Sequence, residues 1–292
     1  MNKPIPDFII AGATRCGTTS LWHYLKSHPD VYMPETKELH FFNRNHNFTK
    51  GQAYYERFFK TSGQQIKGEA TAAYFYGTVS QGDSSNKVRT EECAIARIKE
   101  TLPNVKLIFS LRNPVYRAYS QYMLKCLRGL EQADSLKAAL LEELNGERLV
   151  DTNNFPYFHY NQYPVHVKKW MDYFPKEQML FLIFDEWTIN PDFYLAKVGQ
   201  FLNISTTHQY ANLNEIKNSG HAPRSKWFSK LEHKFLSGFK NLSPTKGSLF
   251  RRANQAPIPK LSPEEYKFLL PYFQDSISEL ENMLSIDLSI WR

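Results

Sequence analysis

Residues Asp7 to Leu25 read DFIIAGATRCGTTSLWHYL, and the fold turns on this stretch. Phe8 to Ala11 is a short apolar run with two β-branched residues, the pattern of a buried strand, and it stops at Gly12. From Thr18 onward Leu21, Trp22 and Leu25 recur at helical spacing, so the chain passes from strand to helix across Gly12 to Gly17. Such a turn suits a phosphate. Two glycines let consecutive backbone N–H groups converge on one spot, and the positive end of the following helix faces the same spot. Thr18, Thr19 and Ser20 add hydroxyl donors at the helix start. A Walker A loop would read G-x-x-x-x-G-K-[ST]; here Thr18 stands where its lysine should be, and the cation lies inside the loop as Arg15. That displacement argues against an ordinary metal-nucleotide ATPase. Without a ligand, the stretch would be a glycine-rich strand-to-helix turn and nothing more.

The same grammar recurs downstream. Val105 to Leu111 (VKLIFSL) is a second buried strand that runs into Arg112-Asn113-Pro114, after which Tyr116, Tyr119, Tyr122 and Met123 mark a helix. Arg112 and Ser120 fall on one side of that strand end, which gives a second anion site. Ile66 to Thr71 and Met179 to Phe184 read as further strands, with helices over Ile95 to Leu102, Pro164 to Tyr173 and Phe193 to Leu202. Strands and helices alternating at this length predict an α/β fold: a P-loop-type, mostly parallel sheet with right-handed crossovers and helices on both faces, as one domain over 1–292. Ligands then gather at the carboxyl ends of the strands. Ser262-Pro263-Glu264-Glu265 opens a C-terminal amphipathic helix expected over 262–284.

Between the first helix and the Ile66 strand, a short extended piece at Val31 to Met33 leads into Glu35-Thr36-Lys37-Glu38-Leu39-His40-Phe41-Phe42. Glu38 and His40 flank Leu39, and Phe41-Phe42 anchors the segment in a core. An acid and an imidazole on an anchored segment beyond a phosphate loop can transfer protons; the alternative is a turn whose Glu38 is merely solvated. Tyr54, Tyr55, Phe58 and Phe59 form a helical stripe that reads as core.

Composition sets the outer bounds. The 292 residues are 42% apolar and 15% aromatic, which excludes a disordered chain. No apolar run reaches about 18 residues and residues 1–6 carry no signal peptide, so a cytoplasmic location is expected. Cys16, Cys93 and Cys126 are far apart and odd in number, which suits a reducing compartment. Cys16 reads as a small filler of the loop, a thiol nucleophile being the alternative. The nine histidines show no metal-ligand spacing. Net charge is +7, and between Arg224 and Lys260 nine Lys or Arg stand against Glu232 alone, so the rest of the chain sums to −1. That window, about 220–260, is a solvated face, a nucleic-acid footprint, or a clamp for an anionic ligand. Its Gly, Ser and Pro content predicts a flap in which Arg251 or Arg252 closes over a cofactor.

Taken together these motifs resemble the PAPS-dependent sulfotransferases, PAPS being 3′-phosphoadenosine 5′-phosphosulfate. Gly12 to Thr19 is similar to that family's 5′-phosphosulfate loop, Leu111 to Ser120 to its 3′-phosphate motif, and Lys37 to Phe42 to a segment of the heparan-sulfate and bacterial carbohydrate branches. The resemblance implies sulfuryl transfer to a hydroxyl or amine of a small-molecule or oligosaccharide acceptor, with no metal and with adenosine 3′,5′-bisphosphate as product. It implies Glu38 as general base, Arg15 as electrostatic clamp, and His40 as orienter of the acceptor or partner in the proton work. Cys16, Gly17, Thr18, Thr19 and Ser20 would cradle the 5′ end of the cofactor, and Arg112 and Ser120 its 3′-phosphate. Glu69, Thr71 and Tyr74 would line the acceptor cleft. Two positions depart from the family pattern: Arg15 stands for the loop lysine, and Ala70 for a lysine found in many relatives. A small-molecule kinase of the P-loop class is the alternative; Asp185 follows the Phe184 strand end as a magnesium ligand would, but no Walker lysine accompanies it. A nucleic-acid binder would need a helix-turn-helix, zinc or RNP signature, and none is present.

Overall fold

A computed structural model describes residues 5–60, 63, 65–80, 93–148, 156–210, 213, 221–238 and 254–292. In chain order its main elements are β1 (Phe8–Gly12), α1 (Thr18–Ser27), β2 (Val31–Tyr32), β3 (Ile66–Ala70), α2 (Ala94–Thr101), β4 (Lys106–Leu111), α3 (Pro114–Leu127), α4 (Leu136–Leu144), α5 (Tyr163–Met171), β5 (Met179–Ile183), α6 (Pro191–Leu202), β6 (His221–Pro223), α7 (Lys226–Gly238), β7 (Gln255–Pro257), α8 (Pro263–Leu269) and α9 (Gln274–Leu284). The chain divides into two compact units, Met1–Arg112 with Tyr163–Lys217 and Asn113–Gln162 with Asn218–Arg292.

The first unit holds a five-stranded, wholly parallel sheet in the order β2-β3-β1-β4-β5. Its central strand β1 is apolar throughout because helices cover both faces. Phe8, Ile10, Ile108 and Leu182 pack on one side with Leu21, Trp22 and Leu25 of α1 and Leu195, Val198 and Leu202 of α6. On the other side Phe109 lies 5.0 Å from the Phe181 ring and 5.1 Å from Trp170 of α5, whose indole N–H donates to the Phe75 carbonyl at 3.0 Å. Register between β1 and β3 pairs Ile10 with Ala70. The loops after these two strands therefore leave the sheet side by side at its carboxyl edge.

The second unit is mainly helical. Asn113 caps α3 by accepting from the N–H groups of Val115 and Tyr116, and Pro114 occupies the first helical position, where a missing N–H costs nothing. Ser135 caps α4 in the same way. The buried carboxylate of Glu131 accepts from Arg148, from the Tyr157 hydroxyl and from two backbone N–H groups. Glu143 caps the backbone of residues 157–159. The expected helix over 262–284 is two helices, α8 and α9, joined by a 3₁₀ turn at Leu270–Phe273. Pro271, which lacks the N–H that a continuous helix needs, lies in that turn. Among the described residues no helix is long and apolar enough to cross a membrane.

Candidate functional site

The loop after β1 keeps the strand-to-helix geometry read from the sequence. Gly17 begins α1 at φ 78° and offers no side chain, so no side-chain cap closes the helix start. A Cβ on Gly17 would lie 2.6 Å from both the Phe184 and Trp187 rings, which is why only glycine fits. Arg15 is also left-handed, at φ 68°. The loop is pinned from behind: the Trp187 indole donates to Ser110 Oγ at 2.9 Å, and Ser110 Oγ donates to the Cys16 carbonyl at 2.6 Å. Cys16 itself is 0% exposed, its Sγ 3.6 Å from the Thr14 carbonyl and 3.9 Å from the Tyr163 hydroxyl, so its side chain fills the interior of the loop. Thr18 is buried, while Arg15, Thr19 and Ser20 are half-buried on the outer side.

Arg112 ends β4 beside this loop. Its Nη1 donates to the Arg15 carbonyl at 3.5 Å, its guanidinium lies 4.8 Å from the Phe184 ring centroid, and its carbonyl accepts from Tyr163. Its Nε is buried and has no hydrogen-bond partner, and among the described residues no carboxylate pairs with it. A buried N–H left in this state is disfavoured unless an acceptor completes it. Ser120 is buried on α3 in the second unit.

The segment carrying Glu38 and His40 is a strap across the end of β3. Glu38 and His40 are both left-handed, at φ 61° and 52°, a conformation that costs about 1 to 3 kcal/mol per non-glycine residue and survives only where surrounding bonds impose it. Those bonds are plain. The Glu38 N–H donates to the Ala70 carbonyl at 2.8 Å, the carboxylate accepts from the Ala72 N–H at 3.2 Å and from the Lys37 ammonium, and the His40 Nε2 lies 3.8 Å from Glu38 Oε2. The Glu38 side chain stays 33% exposed. Burial and the nearby Arg44 charge lower the His40 pKa, so the ring is neutral at physiological pH; its Nδ1 sits 3.2 Å from Asn43 Oδ1.

Glu69, Thr71 and Tyr74 do not face an acceptor. All three are buried, Glu69 at 1% exposure, because strand alternation turns Glu69 and Thr71 to the same inward side and Tyr74 folds back over them. Burial raises the Glu69 pKa to about 7, with three hydroxyl donors opposing the rise and the Glu38 charge adding to it. The three form a hydrogen-bonded cluster beneath the strap. Arg251 and Arg252 lie outside the described residues. Two lysines of the basic window turn into their own unit: Lys226 donates to the Tyr122 hydroxyl and the Asp134 carbonyl, and Lys230 to the Gln132 carbonyl. Among the described residues no group of three His, Cys, Asp or Glu is placed to hold a metal ion.

The structure thus brings a glycine-bounded strand-to-helix loop, a half-buried arginine and a partly exposed carboxylate to one edge of a parallel sheet. Residues 5–254 match the sulfotransferase domain family. The chain belongs to that family. It is 26% identical over 293 residues to the human bifunctional heparan sulfate N-deacetylase/N-sulfotransferase 3, covering 96% of this chain and 30% of that protein. It is 32% identical over 216 residues to the mouse heparan sulfate glucosamine 3-O-sulfotransferase 3B1, covering 72% of this chain and 50% of that one. The chain therefore spans half or less of the length of these relatives. A sulfotransferase from Alicyclobacillus acidocaldarius shares the fold at TM-score 0.69 and 24% identity, with 98% of both chains covered. The strap residues Glu38 and His40 were visible in the sequence. The Glu69 cluster was visible only as E-x-T-x-x-Y, a spacing that does not by itself say which way the side chains point.

Proposed function

We propose that this chain transfers a sulfuryl group from PAPS to a hydroxyl or amine of a carbohydrate acceptor, with Glu38 as general base. The observation that carries this is the pairing of Arg112, a half-buried guanidinium whose Nε is buried and without a hydrogen-bond partner, with a helix start one strand away that no side chain caps. The site suits a ligand with two separate anionic groups, as PAPS has: Arg112 would hold the 3′-phosphate, and Arg15, Thr18, Thr19, Ser20 and the loop N–H groups the 5′ end. Bound there, PAPS would supply the sulfuryl group and a phosphate leaving group.

Glu38 receives the acceptor's proton at its carboxylate, which is exposed enough to meet a substrate yet held by the Ala72 N–H and Lys37. His40, neutral and within 3.8 Å of that carboxylate, orients the acceptor group or shares the proton. Arg15 neutralises charge that grows on the leaving side. Its guanidinium has too high a pKa to donate a proton, so its contribution is electrostatic. The heparan sulfate enzymes among the relatives support a carbohydrate acceptor.

The test is Glu38→Gln. The amide keeps shape and hydrogen bonding but removes the base, so transfer of labelled sulfate from PAPS to an N-sulfated heparan-type oligosaccharide should fall about 10²-fold to 10⁴-fold. Affinity for adenosine 3′,5′-bisphosphate should not change. Near wild-type turnover would remove Glu38 from the base role, and lost nucleotide affinity would recast it as structural.

A further inference from the structure

Among the described residues no ion pair reaches the Glu69 carboxylate. Tyr55 donates its hydroxyl hydrogen to Oε2, while Thr71 and Tyr74 donate theirs to Oε1 at 2.7 and 2.8 Å. A hydroxyl has one hydrogen and two lone pairs, so once that hydrogen is directed at the carboxylate the oxygen can only accept from any other neighbour. Here the other neighbours are backbone N–H groups of the strap. Thr71 Oγ1 accepts from His40 at 3.4 Å, and the Tyr74 oxygen accepts from Phe41 at 3.0 Å and from Phe42 at 3.4 Å. Three consecutive strap amides are thus held by two hydroxyls whose polarity one buried carboxylate dictates.

We propose that Glu69 is a positioning residue: through Thr71 and Tyr74 its carboxylate fixes the backbone that carries Glu38 and His40 in their left-handed conformations. This rests on the reading of Glu38 as the base. A charged acceptor is needed because charge-assisted hydrogen bonds are roughly twice as strong as neutral ones. An acceptor-only group is needed because any donor placed there would force a hydroxyl hydrogen towards the strap N–H groups. Burial disfavours the ionised form and pulls the Glu69 pKa up to about 7, so the acceptor-only carboxylate that the network needs prevails above that pH. Packing confines the cluster: the Phe41 ring stacks on Tyr55 at 4.4 Å and Phe42 meets Tyr74 edge-on at 5.7 Å, so the strap has no alternative seat nearby.

Amide hydrogen exchange on the full chain, with no ligand, tests this. Glu69→Gln keeps the shape but replaces the charged acceptor by an amide, and at pH 8 exchange at His40, Phe41 and Phe42 should quicken at least about tenfold relative to Ile9 and Leu107 in the sheet. Unchanged exchange at the three strap amides would overturn the proposal; so would quickening of strap and sheet together, which is what a general loss of stability produces. Tyr74→Phe, with Glu69 intact, serves if that variant does not fold. It should quicken Phe41 and Phe42 and leave His40 alone, and no effect there is equally decisive. In turnover with PAPS and the N-sulfated heparan-type oligosaccharide, Glu69→Gln should lower kcat about tenfold without changing KM for PAPS. Should Glu38→Gln retain turnover, or the wild type not use this acceptor, the functional reading falls while exchange still decides the role of Glu69. Should Glu38→Gln be inactive and Glu69→Gln turn over like the wild type, the positioning role falls alone.

Discussion

Glu69 carries the clearest pH signature of any residue in the candidate site. Its pKa rises from the ordinary carboxylate value of 4.5 to about 7 on folding, chiefly through burial, with Glu38 as the like charge and the hydroxyls of Tyr55, Thr71 and Tyr74 opposing. The folded state therefore binds the proton more tightly than the unfolded one. Below 4.5 both states are protonated and the group is neutral to stability; between 4.5 and 7 a penalty builds; above 7 it is complete, at roughly 3 kcal/mol from about 1.4 kcal/mol per pKa unit. The stability of the wild type relative to Glu69→Gln should fall by about 2 to 3 kcal/mol from pH 5 to pH 8 in urea unfolding. A difference that stays flat over that range would contradict the raised pKa. Nothing in the sequence announced this. Glu69, Thr71 and Tyr74 read as polar groups near a cleft, and only the face that β3 turns inward makes them a buried network.

At the scale of elements the sequence was most legible where one physical requirement acts alone. Strands β1, β3, β4 and β5 have ends matched to about a residue; β1, most of β4 and β5 are apolar runs because a parallel sheet covered on both faces admits little else. The strap was legible as chemistry but not as geometry: neither Glu38 nor His40 is a glycine, so their positive φ angles answer to hydrogen bonds from Ala70, Ala72 and Thr71 that are distant in sequence. The α8–α9 break was missed although Pro271 was in plain sight, because the apolar periodicity continues across it. Gly17 makes the glycine requirement testable. Its φ of 78° and the 2.6 Å approach of a Cβ to Phe184 and Trp187 add a left-handed penalty to overpacking against two rings. Gly17→Ala should lower stability by about 2 to 5 kcal/mol in urea unfolding. A loss under about 1 kcal/mol would mean that Phe184 and Trp187 yield easily and that the loop is not seated on them as described.

Over the whole molecule, net charge is +7 and concentrated in a window where Lys226 and Lys230 serve internal bonds, so charge alone does not locate the ligand. Ligand-linked stability does. A ligand that binds only the folded chain stabilises it by about 2.7 kcal/mol at a hundred times its Kd. Adenosine 3′,5′-bisphosphate at that concentration should raise the melting temperature of the wild type, whereas ATP with Mg²⁺ should do so only for the kinase alternative. The Arg112 substitution makes the result specific. A charge-assisted bond to the 3′-phosphate is worth about 1.5 to 3 kcal/mol, which weakens binding roughly 10-fold to 150-fold when Arg112 is replaced by Ala. At the same nucleotide concentration the stabilisation should then drop to about 0.3 to 1.3 kcal/mol. Adenosine 5′-phosphate, lacking the 3′ group, should stabilise the wild type and Arg112→Ala alike. If Arg112→Ala kept the full shift with the bisphosphate, the buried Nε would have some other reason to lack a partner, and the 3′-phosphate would have to be sought elsewhere on the chain.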